Sequence, residues 1–130
     1  MPIFAVHKME EIKGRDTFYK LSVNGVCLLD SYYERIKLHP SSKSSFIRIL
    51  SNMESVANGL LLPKTKFRPL FPKSKPKEYE FKYGDLRIYL IDYQGGKLVI
   101  DGGFKNSQDA DINAFRSLVK TFNETSDSKS

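Results

Sequence analysis

Tyr79, Phe81 and Tyr83 alternate with Glu80 and Lys82 at period two at the head of EYEFKYGDLRIYLIDYQGGKLVIDGGFK, residues 78–105, a stretch that reads as three short strands joined by two tight turns. Gly84-Asp85 suits a two-residue hairpin turn, because glycine accepts the positive φ of a primed turn. That register sets Tyr83 opposite Leu86, Lys82 opposite Arg87 and Glu80 opposite Tyr89. Tyr79, Phe81, Leu86, Ile88 and Leu90 then form a core face, and Glu80, Lys82, Arg87 and Tyr89 share the other. At the second turn a Gly95-Gly96 loop would put Asp101 on the core face. A three-residue loop, Gln94-Gly95-Gly96 with Gly96 left-handed, keeps the carboxylate out and is the preferred register. It pairs Leu90 with Ile100 and Asp92 with Leu98, moves Leu98, Ile100 and Phe104 to the core side, and brings Lys105 to the face of Lys82 and Arg87. Val99 and Ile91 on that face predict partial cover.

Upstream, Ile3 to His7 reads as a strand, and Asn24-Gly25 between Thr17–Val23 and Val26–Leu29 is a strong type I′ hairpin signal. Ser31 and Glu34 form a capping box for a first helix with Leu29, Tyr33 and Ile36 on one stripe, ended by His39-Pro40. A second helix from about Ser44 carries Phe46, Ile49, Leu50, Met53, Val56 and Ala57, and Asn58-Gly59 closes it. A third is capped by Ser107 or Asp109 and buries Ile112, Phe115, Leu118, Val119 and Phe122. The pattern predicts one α+β domain over residues 1–122. Its antiparallel sheet combines the three-stranded meander with N-terminal strands and packs against two central helices and a C-terminal one. Residues 1–29 are an N-terminal strand and hairpin extension, and residues 123–130 a polar, frayed tail.

Charge adds a second theme. The net charge of +6 favours an acidic partner such as nucleic acid. Much of it is concentrated in the proline-rich connection LLLPKTKFRPLFPKSKP, where prolines block a helix and predict an extended basic arm. Lys64, Lys66, Arg68, Lys73, Lys75 and the adjoining Lys77 make it a candidate RNA-binding surface, with Phe67, Leu70 and Phe71 pinning it to the core. The alternative is a solvated loop that is basic for solubility. A single cysteine, Cys27, excludes an internal disulfide and a multi-cysteine metal site, and the isolated His7 and His39 carry no motif. No cofactor is expected. No run approaches the ~20 apolar residues of a membrane span, and the start lacks a signal-peptide pattern, so a cytoplasmic protein without membrane partners is expected.

The order of helix, helix, basic linker, three-stranded meander, glycine pair and final helix resembles the RelE/ParE superfamily of bacterial toxins. The matching residues are EYEFKYGDLRIYLID and KLVIDGGFKNSQDADINAFRSL, within a likeness covering about residues 29–122. The resemblance implies a RelE/HigB-like toxin of a toxin–antitoxin pair with a cognate antitoxin protein as partner. RelE-like and HigB-like members cleave mRNA at the ribosome without a metal, whereas ParE-like members inhibit DNA gyrase. By position Arg87 matches the strand arginine that acts on the scissile phosphate, Lys82 a strand lysine, and Lys105 the basic residue after the last strand. Glu80 stands where some members place a lysine, and the last helix lacks the tyrosine or histidine used as acid or base in several.

The chemistry sets its own requirements. Metal-free RNA cleavage needs a base for the 2′-hydroxyl, charge on the phosphorane and an acid for the leaving oxygen. Arg87 suits the phosphate, Lys82 and Lys105 add charge or a base of lowered pKa, Glu80 serves as base or orients Arg87, and Tyr89 stacks on a base or donates a hydrogen bond. Glu80 and Arg87 read equally well as an ordinary cross-strand ion pair, and a non-catalytic basic binding module on the same scaffold is a third alternative for the chain.

Overall fold

The computed structural model describes residues 2–71 and 73–127. The chain builds a mixed α+β fold in three layers: helices α1 (Leu28–Ile36) and α2 (Pro40–Ala57), a seven-stranded sheet, and α3 (Gln108–Asp127) on the opposite face. The strands are β1 (Phe4–Lys8), β2 (Phe18–Val23), β3 (Val26–Cys27), β4 (Phe67–Phe71), β5 (Glu78–Tyr83), β6 (Leu86–Tyr93) and β7 (Gly96–Phe104). Their order is β1-β2-β7-β6-β5-β4, with β3 a short partner of β2. All pairings are antiparallel except β2 with β7, so the sheet is mixed rather than antiparallel as expected. The N-terminal hairpin is thereby built into the sheet beside the last strand of the meander.

Two cores follow from strand alternation. Phe81, Leu86, Ile88, Leu90 and Val99 meet Leu29, Tyr32 and Ile36 of α1 and Phe46, Ile49 and Met53 of α2. Leu21, Tyr89, Ile91, Leu98 and Ile100 meet Phe115, Val119 and Phe122 of α3. The face expected to be polar is therefore apolar over much of its area, because α3 spends its whole stripe there.

Register at the first hairpin is as the alternation requires: Tyr83 opposes Leu86, Lys82 opposes Arg87 and Glu80 opposes Tyr89. At the second, Tyr93 pairs with Gly96 across a two-residue Gln94-Gly95 turn, both residues at positive φ, and a bulge lies opposite Tyr89/Leu90. Leu90 thus faces Val99, not Ile100, and Asp92 faces Lys97, not Leu98. Val99 lies in the α1/α2 core, while Leu98 and Ile100 lie under α3. The bulge resolves the conflict that the three-residue loop was meant to avoid: the extra residue returns Asp101 to the α3 side, opposite Tyr89. Gly96 is required by packing, since a Cβ there would collide with the carbonyl of Thr17, the residue before β2.

Several ends differ from expectation. Leu28 and Leu29 open α1 rather than extend the hairpin, so Ser31 lies inside the helix, no side chain caps it, and Tyr32 replaces Tyr33 on the buried stripe. Helix α2 starts at Pro40, which suits the first helical turn because proline lacks the N–H that would go unpaired there. Part of the basic arm is a sheet strand, β4, whose Phe67 and Arg68 pair with Phe81 and Glu80. Helix α3 continues to Asp127 instead of fraying at Asn123; residues 128–130 of the expected tail, and Pro72 of the arm, lie outside the described residues.

Candidate functional site

One end of the sheet gathers cations. The backbone N–H of Lys82 donates to Lys66 O at 2.9 Å, and Lys82 lies directly opposite Arg87. Lys66, Lys82 and Arg87 thus stand on three neighbouring chain segments, about 5 Å from one to the next. Lys105 follows β7 at the same end, its N–H donating to Asp85 O at 2.8 Å, beside a depression of about 490 Å³ lined by Asp85, Phe104, Lys105 and Asn106. Lys66 and Lys105 are exposed and Lys82 is half-buried; none has an acidic partner among the described residues.

Arg87 is different. It is only 7% exposed, and its Nη1 donates to Gly84 O at 2.9 Å and Leu86 O at 2.8 Å. Its Nε has no partner among the described residues, and no carboxylate pairs with it. Two carbonyls orient the guanidinium without neutralising it, which leaves a fixed, largely dehydrated positive charge at the end of the cationic row.

Glu80 does not pair with Arg87. It is fully buried, accepting from Arg68 Nε at 3.0 Å and from Gln108 Nε2 at 2.6 Å. Register explains the preference: Arg68 is its direct neighbour on β4, and α3 delivers Gln108 from above. Two donors on an enclosed carboxylate make it a strut between β4, β5 and α3, and leave it poorly placed to collect a proton from RNA. Arg68, expected on the RNA-binding surface, has its Nε committed to Glu80, although the side chain remains 39% exposed.

Tyr89 is also enclosed, 1% exposed and stacked on Phe115 of α3 at 5.4 Å between centroids, so no base can stack on it in this arrangement. Its hydroxyl has no hydrogen-bond partner among the described residues and lines a cavity of about 100 Å³ with Asp101 and Asp111. Burial pushes the Tyr89 phenol well above its ordinary pKa, and the nearby Glu80 charge adds to this. Burial likewise raises the Asp101 carboxyl, against the opposing effect of the Gly102 N–H that it accepts at 2.7 Å.

The remaining candidates, Lys64, Lys73, Lys75 and Lys77, are exposed on the segments flanking β4. The structure therefore brings together Lys66, Lys82, Arg87 and Lys105 and sets Glu80, Arg68 and Tyr89 apart as enclosed or paired groups. Residues that the strand pattern left unseen come from α3: Gln108 on Glu80, Arg116 on Glu78, and Asp111, which accepts from Ser107 Oγ at 2.6 Å. Gln108 was legible in principle, as it continues the Ile112–Phe115–Val119 stripe one turn back toward the sheet.

Among the described residues there is no cluster of acids, histidines and cysteines able to hold a metal, and no helix is long and apolar enough to cross a membrane. No family model, curated protein or solved structure matches the chain.

Proposed function

We propose that the chain is the toxin of a toxin–antitoxin pair, and that it acts on mRNA at the ribosome as a metal-independent endoribonuclease through the cationic end of its sheet. The carrying observation is Arg87: a guanidinium 7% exposed, oriented by two carbonyls and in no ion pair among the described residues. A buried cation outside any direct ion pair suits an anion supplied from outside, and a phosphate places two oxygens where a guanidinium can hold both. Lys82 and Lys105 flank it on the more accessible side, where one can stabilise the developing charge and the other exchange a proton. The antitoxin in this reading is an acidic protein, complementary to the net charge of +6.

Enclosure of Glu80 and Tyr89 favours a second reading, a ParE-like inhibitor of DNA gyrase that needs no acid–base pair. Induced expression in a bacterium separates the two. The nuclease reading expects growth arrest that Lys82→Ala relieves, with plasmid supercoiling unchanged. Arrest accompanied by loss of negative supercoiling would transfer the assignment to gyrase, and unimpaired growth at verified expression would leave a basic binding module.

A further inference from the structure

A second basic cleft lies at the other end of the same face. It has a volume of about 520 Å³ and sits between the Ser74–Glu78 segment and the middle of α3. Arg116 lines it: Nε donates to Glu78 Oε1 at 3.0 Å, Nη2 reaches Ser74 Oγ at 3.5 Å, and the guanidinium lies 3.8 Å from the centroid of the Phe71 ring. Glu78 is only 4% exposed, so this pair is anchored from below and the guanidinium plane is held in one orientation. Lys75 and Lys120 are exposed in the two walls and have no ion pair among the described residues. Ser117 and Asn123 add hydrogen-bonding groups on the helix side. Glu124 is the opposing charge; Arg116 neutralises Glu78, so the cleft carries a net positive charge from its lysines.

We infer that this cleft binds the backbone of a single-stranded RNA whose scissile phosphate lies at Arg87. Glu78, Glu80 and Lys82 alternate along one face of β5, so the cleft and the cationic row are joined by four residues of extended strand, about 13 Å. A few nucleotides of single strand span that interval. Exposed lysines beside an anchored guanidinium suit a sequence-independent phosphate contact, and the cleft is large enough for a nucleotide. Lys120 and Arg116 become binding residues, and Lys75 gains a specific place among the lysines of the basic arm.

This inference rests on the nuclease reading for its direction along the strand but is tested apart from it. Binding of a fluorescent single-stranded RNA oligonucleotide to the full chain is measured against salt. The double variant Lys75→Gln/Lys120→Gln is compared with Lys13→Gln/Lys43→Gln, which removes the same charge from exposed sites elsewhere. The cleft variant is expected to bind about tenfold more weakly, and its log–log salt slope to fall by about 1.4, from about 0.7 for each of two phosphate contacts. The control pair should stay within about twofold of wild type, and Glu124→Gln should tighten binding. Equal loss in both pairs, wild-type binding by the cleft variant, or no RNA binding by the wild-type chain would overturn the inference. Growth arrest that survives with an RNA-indifferent cleft would remove the cleft alone. A cleft that binds RNA in a chain that arrests nothing would remove the nuclease reading alone.

Discussion

Arg87 carries the sharpest contrast between a structural and a functional charge. An arginine retained for stability should be harmful to replace; one held unpaired for an external anion should not be. Arg87→Met keeps the length and apolar contacts of the side chain and removes the charge. We expect chemical-denaturation midpoints for this variant at or above wild type, with growth arrest abolished. A marked loss of stability would mean that the two carbonyl bonds are its purpose. Glu80 should behave in the opposite way. Glu80→Ala leaves Gln108 and Arg68 without their acceptor, and we expect about 1–3 kcal/mol of destabilisation in urea titrations.

Asp101 is expected to give a pH signature. Its carboxyl is raised above the ordinary 3.8, chiefly by burial, so the folded state holds the proton more tightly than the unfolded one. The contribution of this group to stability is therefore greatest below the ordinary value and declines as pH rises through the interval up to the raised one. Asp101→Asn can keep the oxygen that accepts the Gly102 N–H and removes the titration. Its melting temperature should exceed wild type at pH 7, and the difference should vanish in strongly acidic buffer. Equal melting temperatures at both pH values would contradict the assignment.

At the scale of elements, the legible features were those fixed by neighbours in the chain. The Asn24-Gly25 and Gly84-Asp85 turns, the β5–β6 register and the apolar stripes of α2 and α3 all follow from local periodicity and turn chemistry. The bulge opposite Tyr89/Leu90 was not legible, because Leu98-Val99-Ile100 is a continuous apolar run that fits either face in either register, and no local signal marks the extra residue. The burial of Tyr89 was not legible either: a tyrosine opposite a glutamate reads as polar until α3 is placed over both. Gly96 shows the same limit, since it reads as a turn residue but serves the β2–β7 contact. Gly96→Ala should push β2 away from β7 and cost about 1–3 kcal/mol or more, read as a lowered denaturation midpoint. Gly95→Ala strains only the turn at a φ of +78°, with open space around the added carbon, and should cost less.

For the whole molecule, the α+β class and the helices-versus-meander division were readable, but the parallel union of β2 with β7 was not. Residues 24–95 separate those strands, and no local pattern encodes the direction in which they meet. The consequence is functional. Helices α1 and α2 cover one face of the sheet, α3 closes much of the other, and the hairpin occupies the edge beside β7, so the open cationic row lies at the end beside the Gly84-Asp85 turn. The candidate site was accordingly legible in half: Lys82 and Arg87 oppose each other as the expected register requires, Lys105 reaches the same end through the β7 bulge rather than the expected three-residue loop, and the acid and phenol beside them are claimed by α3. That division places the expected activity on positive charge rather than on a carboxylate base. The most direct test is to map mRNA 5′ ends after induced expression of wild type and Lys82→Ala, the latter removing a half-buried lysine that forms no ion pair among the described residues and expected to melt like wild type. New ends at discrete positions within translated frames that disappear in the variant are the expected result; an unchanged end pattern on inducing the wild-type chain would contradict it.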